Sequence, residues 1–201
     1  MRQDVIESKT EQVILVDEQD RELGFAEKLA AHRAGALHRA FSVFVFDERG
    51  RLLLQKRAAA KYHSGGLWSN TACGHPRPSE TTDEAARRRL REEMNIECEL
   101  REAFSFIYHA GVGGALVEHE FDHVFVGEHA SDPAPDVAEV ESWKWIALDD
   151  LRRDLARESH LYSAWLKLAV ESEEWRRVEG AIFDAQTARE RDAMSARLKQ
   201  S

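Results

Sequence analysis

An α/β fold is predicted by three observations. Apolar segments of strand length alternate along the chain with segments whose apolar residues recur every three or four positions. No stretch repeats another. Finally, 201 residues, 43% of them hydrophobic, supply one hydrophobic core, so a single domain over 1–201 is expected.

The elements follow in order. Gln12 to Asp17 (QVILVD) reads as a strand and the polar DEQDRELG after it as a turn, while AEKLAAHR, 26–33, has a helical pattern. FSVFVFD (41–47), the turn signal DERG and RLLLQKR (51–57) read as a hairpin of apolar strands. A loop rich in small residues, AAAKYHSGGLWSN, precedes a helix over 81–94, where Ala85, Ala86, Leu90 and Met94 recur at helical spacing and Ser79 or Thr81 supplies the cap. Strands are predicted over 98–108 and 115–126, joined by HAGVGG, and again over 142–148, with HASDPAPD as an exposed loop between. A helix begins near Asp149, and the chain from Tyr162 is mostly helical by pattern, becoming polar enough beyond about Thr187 to fray.

Charge narrows the function. Acidic residues outnumber basic ones 37 to 28, and the net charge of −9 argues against nucleic acid or an anionic membrane as a partner. Any anionic substrate must therefore meet a local cluster of cations. No apolar run is long enough to span a bilayer, and nothing near the N-terminus resembles a signal peptide. With only Cys73 and Cys98, a cytoplasmic protein with free thiols is expected, monomeric or weakly dimeric.

The stretch TACGHPRPSE, 71–80, sets Cys73 and His75 on either side of Gly74. That spacing is too short for a zinc motif, whose paired ligands need two to four residues between them, so the two side chains serve separate purposes. Gly74, five residues, Glu80, seven residues, then Arg88-Arg89-Leu90-Arg91-Glu92-Glu93-Met94-Asn95-Ile96 resembles the Nudix box, G-x5-E-x7-R-E-U-x-E-E-x-G-U. Two positions depart from it. Asn95 replaces glycine, a mild change because Asn tolerates the left-handed conformation of a helix C-cap. Arg89 replaces the first glutamate, exchanging a metal-ligating carboxylate for a guanidinium that grips phosphate. A hydrolase that collects divalent ions on this helical face would be damaged by that exchange.

Further motifs point the same way. Lys28-x3-His32, then LHRAFS (37–42), GLWSNTACGHP (66–76), EHE (118–120) and YSAW (162–165) together resemble type 1 isopentenyl-diphosphate isomerase, a Nudix-superfamily enzyme, from about Val13 to Trp165. His32 and His38 stand one residue closer than that pattern has them. The resemblance implies a Nudix-type α/β/α sandwich with a mixed sheet. Its implied activity interconverts isopentenyl and dimethylallyl diphosphate through a carbocation-like species. The alternative is a Nudix pyrophosphohydrolase acting on a nucleoside diphosphate derivative.

The resemblance also implies roles. His32, His38, His75, Glu118 and Glu120 form a nitrogen and oxygen set suited to zinc or manganese, and strand alternation puts the two glutamates on one face. Cys73 and Glu120 are implied as the acid–base pair, with Tyr108 hydrogen-bonded nearby and Trp165 offering its π face to the cationic centre. Lys28, Arg57, Lys61, Arg89 and Ser42 are implied around the diphosphate, with magnesium bridging it to Glu93 and the Cys73 carbonyl. His63, His109, His119, His123, His129 and His160 match no position and are read as ordinary residues, as is Cys98.

Overall fold

The strand His38–Phe46 organises the molecule, because every other layer is built on it. The computed structural model describes residues 11–198, leaving the N-terminal stretch read above for signals and the last three residues outside it. In chain order it contains β1 (Gln12–Val16), β2 (Glu22–Glu27), α1 (Lys28–Ala34), β3 (His38–Phe46), β4 (Leu52–Arg57), β5 (Trp68–Ser69) and β6 (Ala72–Gly74). Then come α2 (Thr82–Met94), β7 (Leu100–Gly113), β8 (Leu116–Glu128), β9 (Val140–Ile146), α3 (Leu148–Glu158), α4 (Ala164–Glu171) and α5 (Glu173–Leu198).

Among the described residues the nine strands form one mixed sheet. β3 runs parallel to β8 from His38↔Glu120 to Phe46↔Glu128, while β7 lies antiparallel against β8 and β9 against β4. Alternation along the central strands sends side chains into two cores. Phe41, Val43 and Val45 of β3, Leu53 of β4 and Phe125 of β8 pack with Ala85, Ala86, Leu90 and Met94 of α2. Phe44 and Phe46, Leu52 and Leu54, and Val124 and Val126 face the other way, onto Leu151, Leu155, Leu166, Ala169 and Trp175. Helices cover both faces of the sheet, so the expected α/β/α layering is found. No helix among the described residues is long and apolar enough to cross a membrane.

Two local readings are corrected. The stretch 17–24 is a turn only in its first half. Asp17 Oδ1 accepts from the amides of Gln19 and Arg21, closing the turn, and β2 then returns antiparallel to β1. β2 is a largely exposed edge strand, so it lacks the apolar alternation that would mark it. β3 and β4 pair only at Phe46↔Leu52. They part because β3 gives that edge to β6, through Phe41↔Gly74, Ser42↔Cys73 and Val43↔Ala72. The final helix continues through the polar stretch to Leu198.

The helix that carries the box-like motif is closed at both ends. Thr81, not Ser79, is the N-cap: its hydroxyl accepts from the Glu84 amide while the Glu84 carboxylate accepts from the Thr81 amide. Arg88 grips Glu80 through two hydrogen bonds of 2.7 and 2.8 Å, tying the helix to the loop before it. Asn95 takes φ 53° at the C-cap, the left-handed conformation glycine holds without strain. Asn95→Gly is therefore expected to leave thermal stability unchanged or raised, and Asn95→Val to lower it by about 1–2 kcal/mol, as read from denaturant midpoints.

Candidate functional site

Sheet register brings the polar residues together. His38 opens β3 directly opposite Glu120 of β8, and Glu120 pairs on its other side with Tyr108 of β7. Cys73 of β6 faces Ser42 of β3. The β2–α1 junction supplies Lys28 and His32, one helical turn apart. These elements enclose a cavity of about 740 Å³ that Cys73, Tyr108, Glu118, Glu120, Trp165 and the predicted diphosphate-binding residues all line. His32 and His38 stand fully buried beside it.

Four donors converge within the site: His32, His38, His75 and Glu120 place ligand atoms within 4.8 Å of one another. His38 Nε2 lies 3.2 Å from His75 Nε2 and 3.5 Å from Glu120 Oε1, and His75 Nε2 lies 2.9 Å from that same oxygen. His32 Nδ1 donates to the Lys28 carbonyl at 2.7 Å and His38 Nδ1 to the Ala36 carbonyl at 2.8 Å. Each ring proton is thereby committed outward, which turns the Nε2 lone pair inward. His32 Nε2 is buried with no hydrogen-bond partner among the described residues. A buried lone pair without a donor is costly, and an ion bound at about 2.0–2.2 Å fits donors at these separations. The cluster thus suits a divalent metal.

Glu118 stands slightly apart. Its carboxylate forms a second donor group with His32 and His63, and Oε1 lies 3.4 Å from His63 Nε2. The Tyr108 hydroxyl links the two glutamates, 2.5 Å from Glu120 Oε2 and 3.1 Å from Glu118 Oε2. Burial pushes Glu118 well above the usual carboxylate range, and the charge of Glu120 adds to it. Burial also acts on Glu120, but the imidazoles of His38 and His75 beside it outweigh burial and hold it well below that range.

The thiol and the cations complete the lining. Both cysteines are free. Burial pushes the Cys73 thiol up to about 12, although Arg57, whose guanidinium lies 3.6 Å from the sulfur, opposes that shift. Arg57 also lies over the Trp165 indole, 5.2 Å from its centroid, while Trp165 Nε1 donates to Asn70 Oδ1. Lys28 pairs with Glu11, Lys61 with Glu139, and Arg89 with Glu92, Glu93 and Glu139. Burial brings Lys61 down to about 8. Glu93 is buried and also accepts from Gln55 at 2.5 Å.

Three residues in or beside the site escaped the sequence reading. His63 lines the cavity two positions beyond Lys61 and touches Glu118. Asp122, buried on β8, accepts from Ser42 at 2.8 Å. It continues the alternation of Glu118 and Glu120, a signal that was present in EHEFD. Glu139, between Lys61 and Arg89, sits just before β9 and carries no local signal. His119, inside the EHE motif, points the other way and meets the Gly35 carbonyl.

Comparison with known proteins gives the family and the fold. The NUDIX domain matches residues 36–166. "Isopentenyl-diphosphate Delta-isomerase 2" of Aromatoleum aromaticum is 57% identical over 80% of this chain and 85% of its own. "Isopentenyl-diphosphate Delta-isomerase" of Burkholderia multivorans is 53% identical over 80% and 92%. Among solved structures, a Deinococcus radiodurans protein superposes with a TM-score of 0.66 at 22% identity, covering 79% of this chain and 96% of that one. A MutT NUDIX hydrolase from Burkholderia pseudomallei gives 0.54 at 21%, covering 68% and 98%. These two share the fold. Because His75 donates to the cluster and the Cys73 side chain does not, His75→Ala is expected to lose a bound divalent ion that Cys73→Ala retains, as measured by elemental analysis of dialysed protein.

Proposed function

The chain belongs to the Nudix family and, within it, to the isopentenyl-diphosphate Delta-isomerases, and from that premise we infer that it interconverts isopentenyl and dimethylallyl diphosphate. The carrying observation is that one cavity is lined by a half-buried thiol, a buried carboxylate and an indole together with the cations Lys28, Arg57, Lys61 and Arg89.

The chemistry needs one proton delivered and another removed. From isopentenyl diphosphate, a proton goes to the terminal methylene carbon; the double-bond electrons form the new C–H bond and leave positive charge on the tertiary carbon. Loss of a proton from the adjacent methylene then returns an electron pair as the new double bond. The formula of the substrate is unchanged. Cys73 and Glu120 fill these two roles, exchanging them in the reverse direction. A thiol kept neutral by its surroundings is a suitable donor, and a carboxylate held ionised is a suitable acceptor. Tyr108 steadies Glu120 through its 2.5 Å hydrogen bond. The Trp165 ring stabilises the tertiary cation, an attraction of about 2 kcal/mol when desolvated.

Binding falls to Lys28, Arg57, Lys61 and Arg89. Lys28, Lys61 and Arg89 already face carboxylates, so they have little surplus charge for a diphosphate. Glu93 and the Cys73 carbonyl would hold a magnesium ion accompanying the substrate, which would supply the charge these side chains lack. His32, His38, His75, Glu118 and Glu120 would hold zinc or manganese, which would supply positive charge beside the Glu120 carboxylate. Ser42 lies in the cavity wall, but its hydroxyl is committed to Asp122, so its contribution to binding is indirect.

Incubation with isopentenyl diphosphate is expected to yield the allylic diphosphate without phosphate release; release of inorganic or monophosphate from nucleoside diphosphate derivatives would favour hydrolysis instead. Cys73→Ala is expected to reduce isomerisation about 10²–10⁴-fold. Arg89→Glu is expected to raise KM more than it lowers kcat, and an unaltered KM would remove Arg89 from diphosphate binding.

A further inference from the structure

Building on the metal role of Glu118 just inferred, we propose that His63 is a positioning residue that holds the Glu118 carboxylate toward the metal-binding cluster. His63 lies in the connection between β4 and β5 and is buried. Its ring is wedged edge-on against Tyr62, with centroids 4.3 Å apart, and edge-on to Trp165 at 6.0 Å. That packing fixes the ring plane. Nδ1 lies 3.2 Å from the Ser64 hydroxyl, which can donate to it, leaving the ring proton on Nε2. Nε2 in turn lies 3.4 Å from Glu118 Oε1, while Oε2 of the same carboxylate faces the Tyr108 hydroxyl at 3.1 Å. Oε2 thus accepts a hydrogen bond from Tyr108 while the His63 ring stands against Oε1 at contact distance, and neither neighbour is a charged competitor for the carboxylate.

Direct ligation by His63 is disfavoured by the geometry. Among the described residues His63 shares a donor group with His32 and Glu118 alone; Glu118 too lies outside the four-residue cluster, but it shares the face of β8 and the Tyr108 hydroxyl with Glu120, and His63 does not. His32 has one available ring nitrogen, since Nδ1 donates to the Lys28 carbonyl, and a single lone pair serves one ion. The four-residue cluster of His32, His38, His75 and Glu120 takes that lone pair. His63 is left facing Glu118, as an outer partner faces a ligand in established metal sites.

The test strips the protein of metal and reloads it with zinc or manganese under competition from a chromophoric chelator. His63→Phe, which keeps the ring but has no N–H, is expected to weaken affinity by about 10–100-fold, and His63→Gln, whose amide can donate to Glu118, to recover most of it. X-ray absorption is expected to count the same number of imidazoles around the ion in wild type and His63→Phe. Unchanged affinity in His63→Phe overturns the proposal, as does a lower unfolding midpoint of the metal-free variant with affinity intact, which would make His63 a packing residue. Loss of one imidazole from the coordination shell overturns it too, because His63 would then be a ligand. Glu118→Gln separates the two levels: if that variant binds metal normally, Glu118 is no ligand and the parent reading fails, whereas weakened binding there with normal binding in His63→Phe removes only the role of His63.

Discussion

Three carboxylates on one strand face constrain everything around them. Glu118, Glu120 and Asp122 point inward from β8 with exposures of 3, 6 and 1%. An ionised carboxylate in such a place costs several kcal/mol unless its charge is met. The fold answers differently at each position. Glu120 receives two imidazoles and a phenol, and is held ionised. Glu118 meets Tyr108 and His63 and is driven toward its neutral form. Among the described residues Asp122 accepts from Ser42 alone, with Oδ1 left without a partner, and burial drives it the same way. A divalent ion held among the imidazoles would change this balance by supplying positive charge beside the acids.

The reversed charge in the box-like helix has its counterpart nearby. Arg89 faces Glu92, Glu93 and Glu139 at once, so the helical face on which a hydrolase gathers cations is here occupied by a guanidinium. Lys61 joins through Glu139. Each of these cations is thus already paired with a carboxylate at rest. On the function proposed above, this cluster would hold a charged tail in place, a different task from breaking the bond within that tail.

Much of the fold was legible because buried strands and an amphipathic helix write their pattern locally. FSVFVFD and RLLLQKR could hardly be anything but core strands, and Thr81 with Glu84 marks its helix start unambiguously once the cap forms. β2 was missed because an exposed edge strand needs no apolar alternation. The assumed β3–β4 hairpin was wrong in extent because a sequence shows which segments are extended but not which edge each will offer. Within the site, His75 and Glu120 were legible through their motifs. His63 was not: in KYHSGG it looks like any loop histidine, and only the return of that loop over β8 gives it a partner.

The sequence by itself determined the residue types, the broken box and the helical and strand periods, since these are local properties of the chain. It therefore settled which functional groups exist and which short stretches carry them. Tertiary structure decided which groups meet. His38, His75 and Glu120 are separated by 37 and 45 residues along the chain, yet their ligand atoms lie 2.9–3.5 Å apart because β3 runs parallel to β8 and antiparallel to β6. Pairing across such distances depends on the loop-closure and packing free energy of the whole domain, which no window of sequence contains.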